Sequence, residues 1–142
     1  MSAAALRIAE AFTRLSPERI ARLGEIYAAD ARFVDPFNDV RGLAEIQEVF
    51  RHMYRTLDTP CFDVRECIEQ GEHCVLLWDF SFRFRTTRKG ATQSLPGATH
   101  LKLDASGLIL LHTDYWDPAQ GIYEKLPVLG ILMRALRRHA AS

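Results

Sequence analysis

The chain has 142 residues, 48% hydrophobic and 25% charged, with 18 Lys+Arg against 18 Asp+Glu and a formal net charge of zero. That length suits one domain spanning 1–142, which buries about two-thirds of the surface its unfolded chain exposes; the apolar content argues against disorder. Charge balance removes the electrostatic reason to expect nucleic acid as a partner. No run approaches the roughly 18 apolar residues of a membrane span, so a membrane role is not expected.

Met1-Ser2-Ala3 leads into a charged amphipathic stretch without a signal peptide's apolar core. The expectation is a cytoplasmic protein with reduced thiols. Its cysteines are Cys61, Cys67 and Cys74, an odd count with no CxxC or Cys/His metal spacing. Cys67 and Cys74 could face each other across a hairpin, but reduced thiols fit the composition best.

Ala5, Ile8, Phe12 and Leu15 fall at helical spacing and predict a first helix. Ser16-Pro17-Glu18 reads as the start of a second: a cap, a proline at the first position and an acid facing the helix dipole. Ile20, Leu23 and Tyr27 would be its buried stripe, ending near Asp30. Arg32 to Pro36 is short and extended, since proline biases Asp35 away from helical angles. Ile46, Val49, Phe50, Met53 and Leu57 predict a third helix that stops before Pro60.

Beyond Pro60 the pattern has period two. Strands are expected over 61–69, 73–87, 92–104 and 108–116, with turns at 70–72, 88–90 and 104–107. Trp78, Phe80, Phe82 and Phe84 lie on one face of the second of these. Pro96-Gly97 suggests a bend or bulge in the third. After Asp117-Pro118 the chain turns helical again, and the stretch from Leu126 to Arg138 forms a basic amphipathic helix. Such a helix can lie on a membrane or bind a partner, but packing over the domain or a second subunit is the simpler reading. The order is three helices, a four-strand meander and a terminal helix, an α+β layout whose curved antiparallel sheet forms a cone.

The stretch Tyr27-Ala28-Ala29-Asp30-Ala31-Arg32-Phe33-Val34-Asp35-Pro36 resembles the helix-to-strand signature of the NTF2-like fold, carried by ketosteroid isomerases and SnoaL-like polyketide cyclases. Gly42 to Ile46 and the hairpin Leu103 to Gly107 match in position. The resemblance implies a cone-shaped pocket for a small hydrophobic molecule and a homodimer formed through the outer sheet face; the sequence carries no metal or nucleotide motif, so no metal and no cofactor are expected. Because this fold hosts many unrelated activities, the resemblance is specific for fold and weak for function. It maps the isomerase's general base onto Asp35. The isomerase's oxyanion-hole tyrosine and aspartate fall on Phe12 and Thr99, which disfavours the steroid isomerase mechanism. Limonene epoxide hydrolases are also similar; Asp114 is the counterpart of one of their aspartates, but a matching arginine is not evident.

His112, Asp114 and Trp116 share one strand face, which would present an imidazole, a carboxylate and an indole together. The strand is apolar on both faces, so alternation alone does not orient it; the resemblance places this face inward. A desolvated Asp114 could serve as general base or acid with His112 as partner and Asp35 as a second carboxylate. The bland alternatives are that Asp114 bonds a backbone amide or ties down the C-terminal segment, and that Asp35 only shapes its turn. Trp116, Trp78, Phe80, Phe82, Phe50, Tyr54, Thr99 and Phe12 are the candidate ligand contacts, the aromatics doubling as core. His100 and Asp79 are expected outside the cone. Three readings stay open: an acid–base isomerase, cyclase or hydrolase acting on a small hydrophobic or cyclic compound, a non-catalytic binding protein, and a dimeric interaction module.

Overall fold

The computed structural model describes residues 1–85, 91–121 and Arg138. Helix α1 (Ala3–Thr13) is followed by a 3-10 helix (Pro17–Glu25), strand β1 (Tyr27–Val34), β2 (Asp39–Arg41) and helix α2 (Leu43–Thr56). Four long strands come next: β3 (Leu57–Gln70), β4 (His73–Phe84), β5 (Gln93–Leu103) and β6 (Ile109–Tyr115). A single helical turn, α3 (Pro118–Gly121), closes the described part. The expected helix from Leu126 to Arg138 lies, apart from Arg138, outside the described residues. No helix among the described residues is long and apolar enough to cross a membrane.

The strands form one curved six-stranded sheet in the order β2-β1-β6-β5-β4-β3. This corrects the expected four-strand meander. It is also not wholly antiparallel, because β1 runs parallel to β6. The helices pack on one side: α1 rests on β3, and α2 on the 3-10 helix, β1 and β3.

The second helix differs most from expectation. It is 3-10 rather than α and ends at Glu25, and Tyr27–Val34 is a strand. The reason is visible in the spacing. Ile20, Leu23 and Ile26, all buried, recur every third residue, which matches three residues per turn. Tyr27 then leaves the helix, and Ala31 and Phe33 alternate inward across the exposed Arg32. The alanine-rich sequence of 27–31 suits a helix locally; pairing with β6 overrides it.

The other elements follow local rules. Ser2 Oγ accepts from Ala5 N at 3.1 Å and caps α1, whose buried face is Ala5, Ile8 and Phe12. Helix α2 starts after Gly42, at φ 103°, and buries Ile46 and Phe50. The chain passes directly from Thr56 into β3, four residues earlier than expected. Thr59, at φ 49°, and Pro60 sit in a register irregularity between Asp58 and Cys61. In β5, Pro96 and Gly97 do not break the pairing with β4, contrary to the expected bend. The proline is tolerated because β6 reaches only to Ala98, so that among the described residues no strand pairs with β5 there on that side. Gly97 stands opposite Trp78, and a Cβ at that position would lie 2.2 Å from the indole ring.

Candidate functional site

The inner face of β3, β4, β5 and β6, together with Phe12 of α1 and Phe50 of α2, encloses a small void of about 10 Å³, enough for about one water molecule. Beside it opens a cavity of about 390 Å³ lined mainly by Phe33, Val49, Phe50, Met53, Phe62, Trp78, Phe80, Phe84 and Trp116. Asp114 borders both.

Two chains of hydrogen bonds converge on one oxygen of Asp114. On one side the Trp78 indole N–H donates to Thr99 Oγ1 at 2.8 Å, and the Thr99 hydroxyl donates to Asp114 Oδ1 at 2.6 Å. On the other side His112 Nε2 lies 2.6 Å from the same Oδ1, and His112 Nδ1 lies 2.7 Å from the Tyr27 hydroxyl. A carboxylate oxygen accepts, so Nε2 carries the hydrogen. In the neutral imidazole Nδ1 then accepts from the Tyr27 O–H, and every polar hydrogen in the chain has a partner. Bonds of this length to a carboxylate are charge-assisted and hold it in one orientation. The other oxygen, Oδ2, has no partner among the described residues.

Burial makes this arrangement rigid. His112 is 3% exposed and Thr99 3%. The imidazole is stacked on Tyr27, edge-on to Phe12 at 5.6 Å between ring centres, and 4.4 Å from Phe33. Tyr27 is almost wholly buried, and burial, followed by the negative charge of Asp114, pushes its phenol well above the ordinary tyrosine range. No buried side-chain polar atom among the described residues lacks a partner.

His112 and Asp114 come together because they are two apart on β6 and so share its inner face. Thr99 pairs with Asp114 across the β5–β6 ladder, and Leu76 of β4 pairs with Thr99 on the other side. Tyr27 arrives through the parallel β1–β6 contact.

The other candidate residues fall in three places. Trp116, Trp78, Phe80 and Phe50 line the large cavity, and Phe12 and Thr99 the small void. Trp116 meets Phe37 edge-on at 5.7 Å, and both line the large cavity. Phe82 is fully buried between Phe80 and Phe84 in the packed core, and Tyr54 is half-buried with its phenol pushed up to about 12 by burial; neither is among the lining residues of the two cavities. Asp35 borders the large cavity, but its Oδ1 accepts from Phe37 N at 2.8 Å, Asn38 N at 2.7 Å and Asn38 Nδ2 at 3.0 Å. That carboxylate shapes its own turn. His100 lies off the inner face, 2.8 Å from His73, and Asp79 pairs with Arg65 at 3.0 Å.

Among the described residues no group of three or more His, Cys, Asp or Glu side chains could hold a metal ion. Among the described residues no Lys or Arg side chain lines either cavity.

The SnoaL-like domain model matches residues 8–112. The chain belongs to the SnoaL-like domain family. This SnoaL-like chain has the NTF2-like fold, as three solved structures show. A protein of ketosteroid isomerase-like fold from Catenulispora acidiphila, in complex with trimethylamine, superposes with a TM-score of 0.72 at 18% identity, over 86% of this chain and 91% of its own. A polyketide cyclase-like protein from Acidithiobacillus ferrooxidans gives 0.72 at 21% identity, over 89% and 96%. A SnoaL-like polyketide cyclase-like protein from Shewanella putrefaciens gives 0.69 at 19% identity, over 87% and 93%. No curated protein matches the chain in sequence. At these identities the likeness carries the fold alone, so the chemistry rests on this SnoaL-like domain's own residues.

Sequence reasoning missed Tyr27 as a member of the site. It counted the residue into a helix, where its hydroxyl had no evident destination. The alternation of Ala31, Arg32 and Phe33 was the available signal that a strand had already begun.

Proposed function

We propose that the domain binds a small, largely apolar, ring-shaped molecule and that Asp114 acts on it as a general base. The carrying observation is the asymmetry of the Asp114 carboxylate. Oδ1 is held by Thr99 and His112, while Oδ2 has no partner among the described residues, and Asp114 borders the large cavity. A fixed, partly buried carboxylate with one open oxygen is suited to take a proton from an acidic C–H or O–H of a bound ligand. Thr99 on one side and Tyr27 and His112 on the other stabilise and orient the group without lining the large cavity and are positioning residues, while Trp78 both anchors Thr99 and forms part of the ligand's wall.

The lining defines the ligand. Aromatic and aliphatic side chains cover most of it, suiting a flat ring system. With no Lys or Arg among the described lining residues, a phosphate or carboxylate has no permanent counter-charge there. A neutral cyclic ketone, enol or phenol fits, and so does an amine, which aromatic faces and a carboxylate both favour. The names of the structural relatives, a polyketide cyclase type and a trimethylamine complex, are compatible with both. Proton abstraction next to a carbonyl would serve either an isomerase or a cyclase.

Binding without turnover is a second reading. It is favoured by Phe12, which brings a bare ring to the void beside Asp114 instead of a hydroxyl that could stabilise an enolate.

The test is deuterium exchange. Cyclic ketones and phenolic polyketide-like compounds are incubated in heavy water with wild type and with Asp114→Asn, and label at the acidic carbon is followed by NMR. Acceleration by wild type that drops about 100-fold or more in the variant supports the base. Saturable binding without exchange supports the binding protein. Neither binding nor exchange sinks the pocket reading and leaves the interaction module.

A further inference from the structure

Cys67 on β3 and Cys74 on β4 have their Sγ atoms 3.1 Å apart. The contact depends on an irregularity in β3. Val64 pairs with Trp78, but the next pair is Glu66 with Leu77, so Arg65 is the extra residue. The inserted residue shifts the phase of the strand. Without it, Glu66 would follow Phe62 and Val64 onto the inner face. With it, Cys67 faces inward beside Cys74.

The two thiols differ in access. Cys74 is 0% exposed and belongs to the core, while Cys67 is half-buried. Burial first, then the bond to Cys67, pushes the Cys74 thiol up to about 12. Cys74 is therefore a poor nucleophile toward anything arriving from solvent at neutral pH. The third cysteine, Cys61, is exposed and lies six residues along β3 from Cys67, roughly 20 Å away at strand spacing. It cannot join the pair.

We propose that Cys67 and Cys74 are a reversible dithiol–disulfide site, oxidised by hydroperoxides with Cys67 reacting first. In the first step the Cys67 sulfur attacks one oxygen of the hydroperoxide. The O–O bond breaks, Cys67 becomes a sulfenic acid, and the hydroperoxide leaves as an alcohol, or as water from hydrogen peroxide. In the second step the Cys74 sulfur attacks the Cys67 sulfur. The S–O bond breaks, the disulfide forms and water leaves with the Cys74 proton. The dithiol loses two electrons and the peroxide gains them; an external thiol reverses the reaction.

Closing the bond needs the sulfurs to approach by only about 1 Å, to the disulfide length of about 2.05 Å. Its place gives it a consequence. Cys67 pairs directly with Leu76, which lines the void beside Asp114. The neighbouring Glu69 accepts from Ser2 N at 2.6 Å, tying the same hairpin end to the start of α1. The disulfide would fasten the floor of the cone beneath that helix.

The test uses the full-length protein and hydrogen peroxide at a dose that oxidises Cys61. Cys67 and Cys74 lie between Arg65 and Arg83, so one tryptic peptide carries both. The expected product is that peptide lighter by two hydrogens, closed to alkylation, and restored by dithiothreitol. The melting temperature of the intact oxidised protein should rise relative to the reduced protein. The Cys67→Ser variant, checked for folding by circular dichroism, should leave Cys74 alkylatable at the same dose. The proposal is overturned if both thiols stay alkylatable while Cys61 is oxidised, or if Cys67 proceeds to sulfinic acid with Cys74 still free. Oxidation of Cys74 at an undiminished rate in Cys67→Ser overturns the order of attack.

Discussion

The Tyr27 hydroxyl stands 2.7 Å from His112 Nδ1, both side chains buried, on two strands that run parallel side by side. This bond sets which ring nitrogen carries the proton and so which end of the imidazole can donate to Asp114. Tyr27 does not line either cavity described, yet it controls the group that holds the carboxylate.

Tyr27→Phe keeps the ring stacked on His112 and removes only the hydroxyl. Nδ1 then has no donor in a site closed to solvent. A loss of about 1–3 kcal/mol in unfolding free energy is expected, the usual cost of a buried polar atom left unpaired. Urea denaturation with unchanged slope would measure it; a neutral substitution would show that water reaches Nδ1.

The same residue predicts an alkaline limit. The phenol's proton affinity is raised in the folded chain, so Tyr27 stabilises the fold fully below the unfolded tyrosine value of about 10. Above it the unfolded chain gives up the proton while the folded chain keeps it. Stability should fall with pH by up to about 1.4 kcal/mol per unit from this one group. Comparing wild type with Tyr27→Phe across pH 9–11 checks it: the variant's decline should be shallower.

Thr99 accepts from Trp78 and donates to Asp114 through one hydroxyl. Thr99→Val keeps the shape and strands both partners, which predicts a loss of about 1–3 kcal/mol. It also predicts weaker ligand binding, since Asp114 loses one of its two anchors. Thr99→Ser should recover most of both. If Val and Ser behave alike in calorimetry, the hydroxyl does not matter.

Gly97→Ala places a methyl group 2.2 Å from the Trp78 ring, which is itself buried and tied to Thr99. The ring cannot withdraw without breaking that bond. Destabilisation of about 1–3 kcal/mol or more is expected, with a shift in tryptophan emission as the indole is displaced. An alanine variant as stable as wild type would mean that the sheet itself yields.

Much of this protein is legible along the chain because periodicity is local. The spacing of Ile8 and Phe12, or of Ile46 and Phe50, announces helices, and the run Trp78, Phe80, Phe82, Phe84 announces a strand with one inward face. His112 and Asp114, two apart on a strand, could be placed side by side from the sequence alone. Their nearness needs only the pleat.

What the sequence could not show is every relationship between elements distant along the chain. The alanine-rich stretch after Tyr27 favours a helix by propensity, and only the partner strand β6 makes it β1. The extra residue at Arg65, which turns Cys67 inward, is invisible until β3 is laid against β4. By itself the sequence determined the fold class, most of the elements and the His112–Asp114 pair. Tertiary structure alone decided that Tyr27 and Thr99 complete that pair, that Asp35 is tied into its own turn, and that one oxygen of Asp114 has no partner among the described residues. Propensity and periodicity act over a few residues, whereas a hydrogen bond from residue 27 to residue 112 exists only once the sheet has closed.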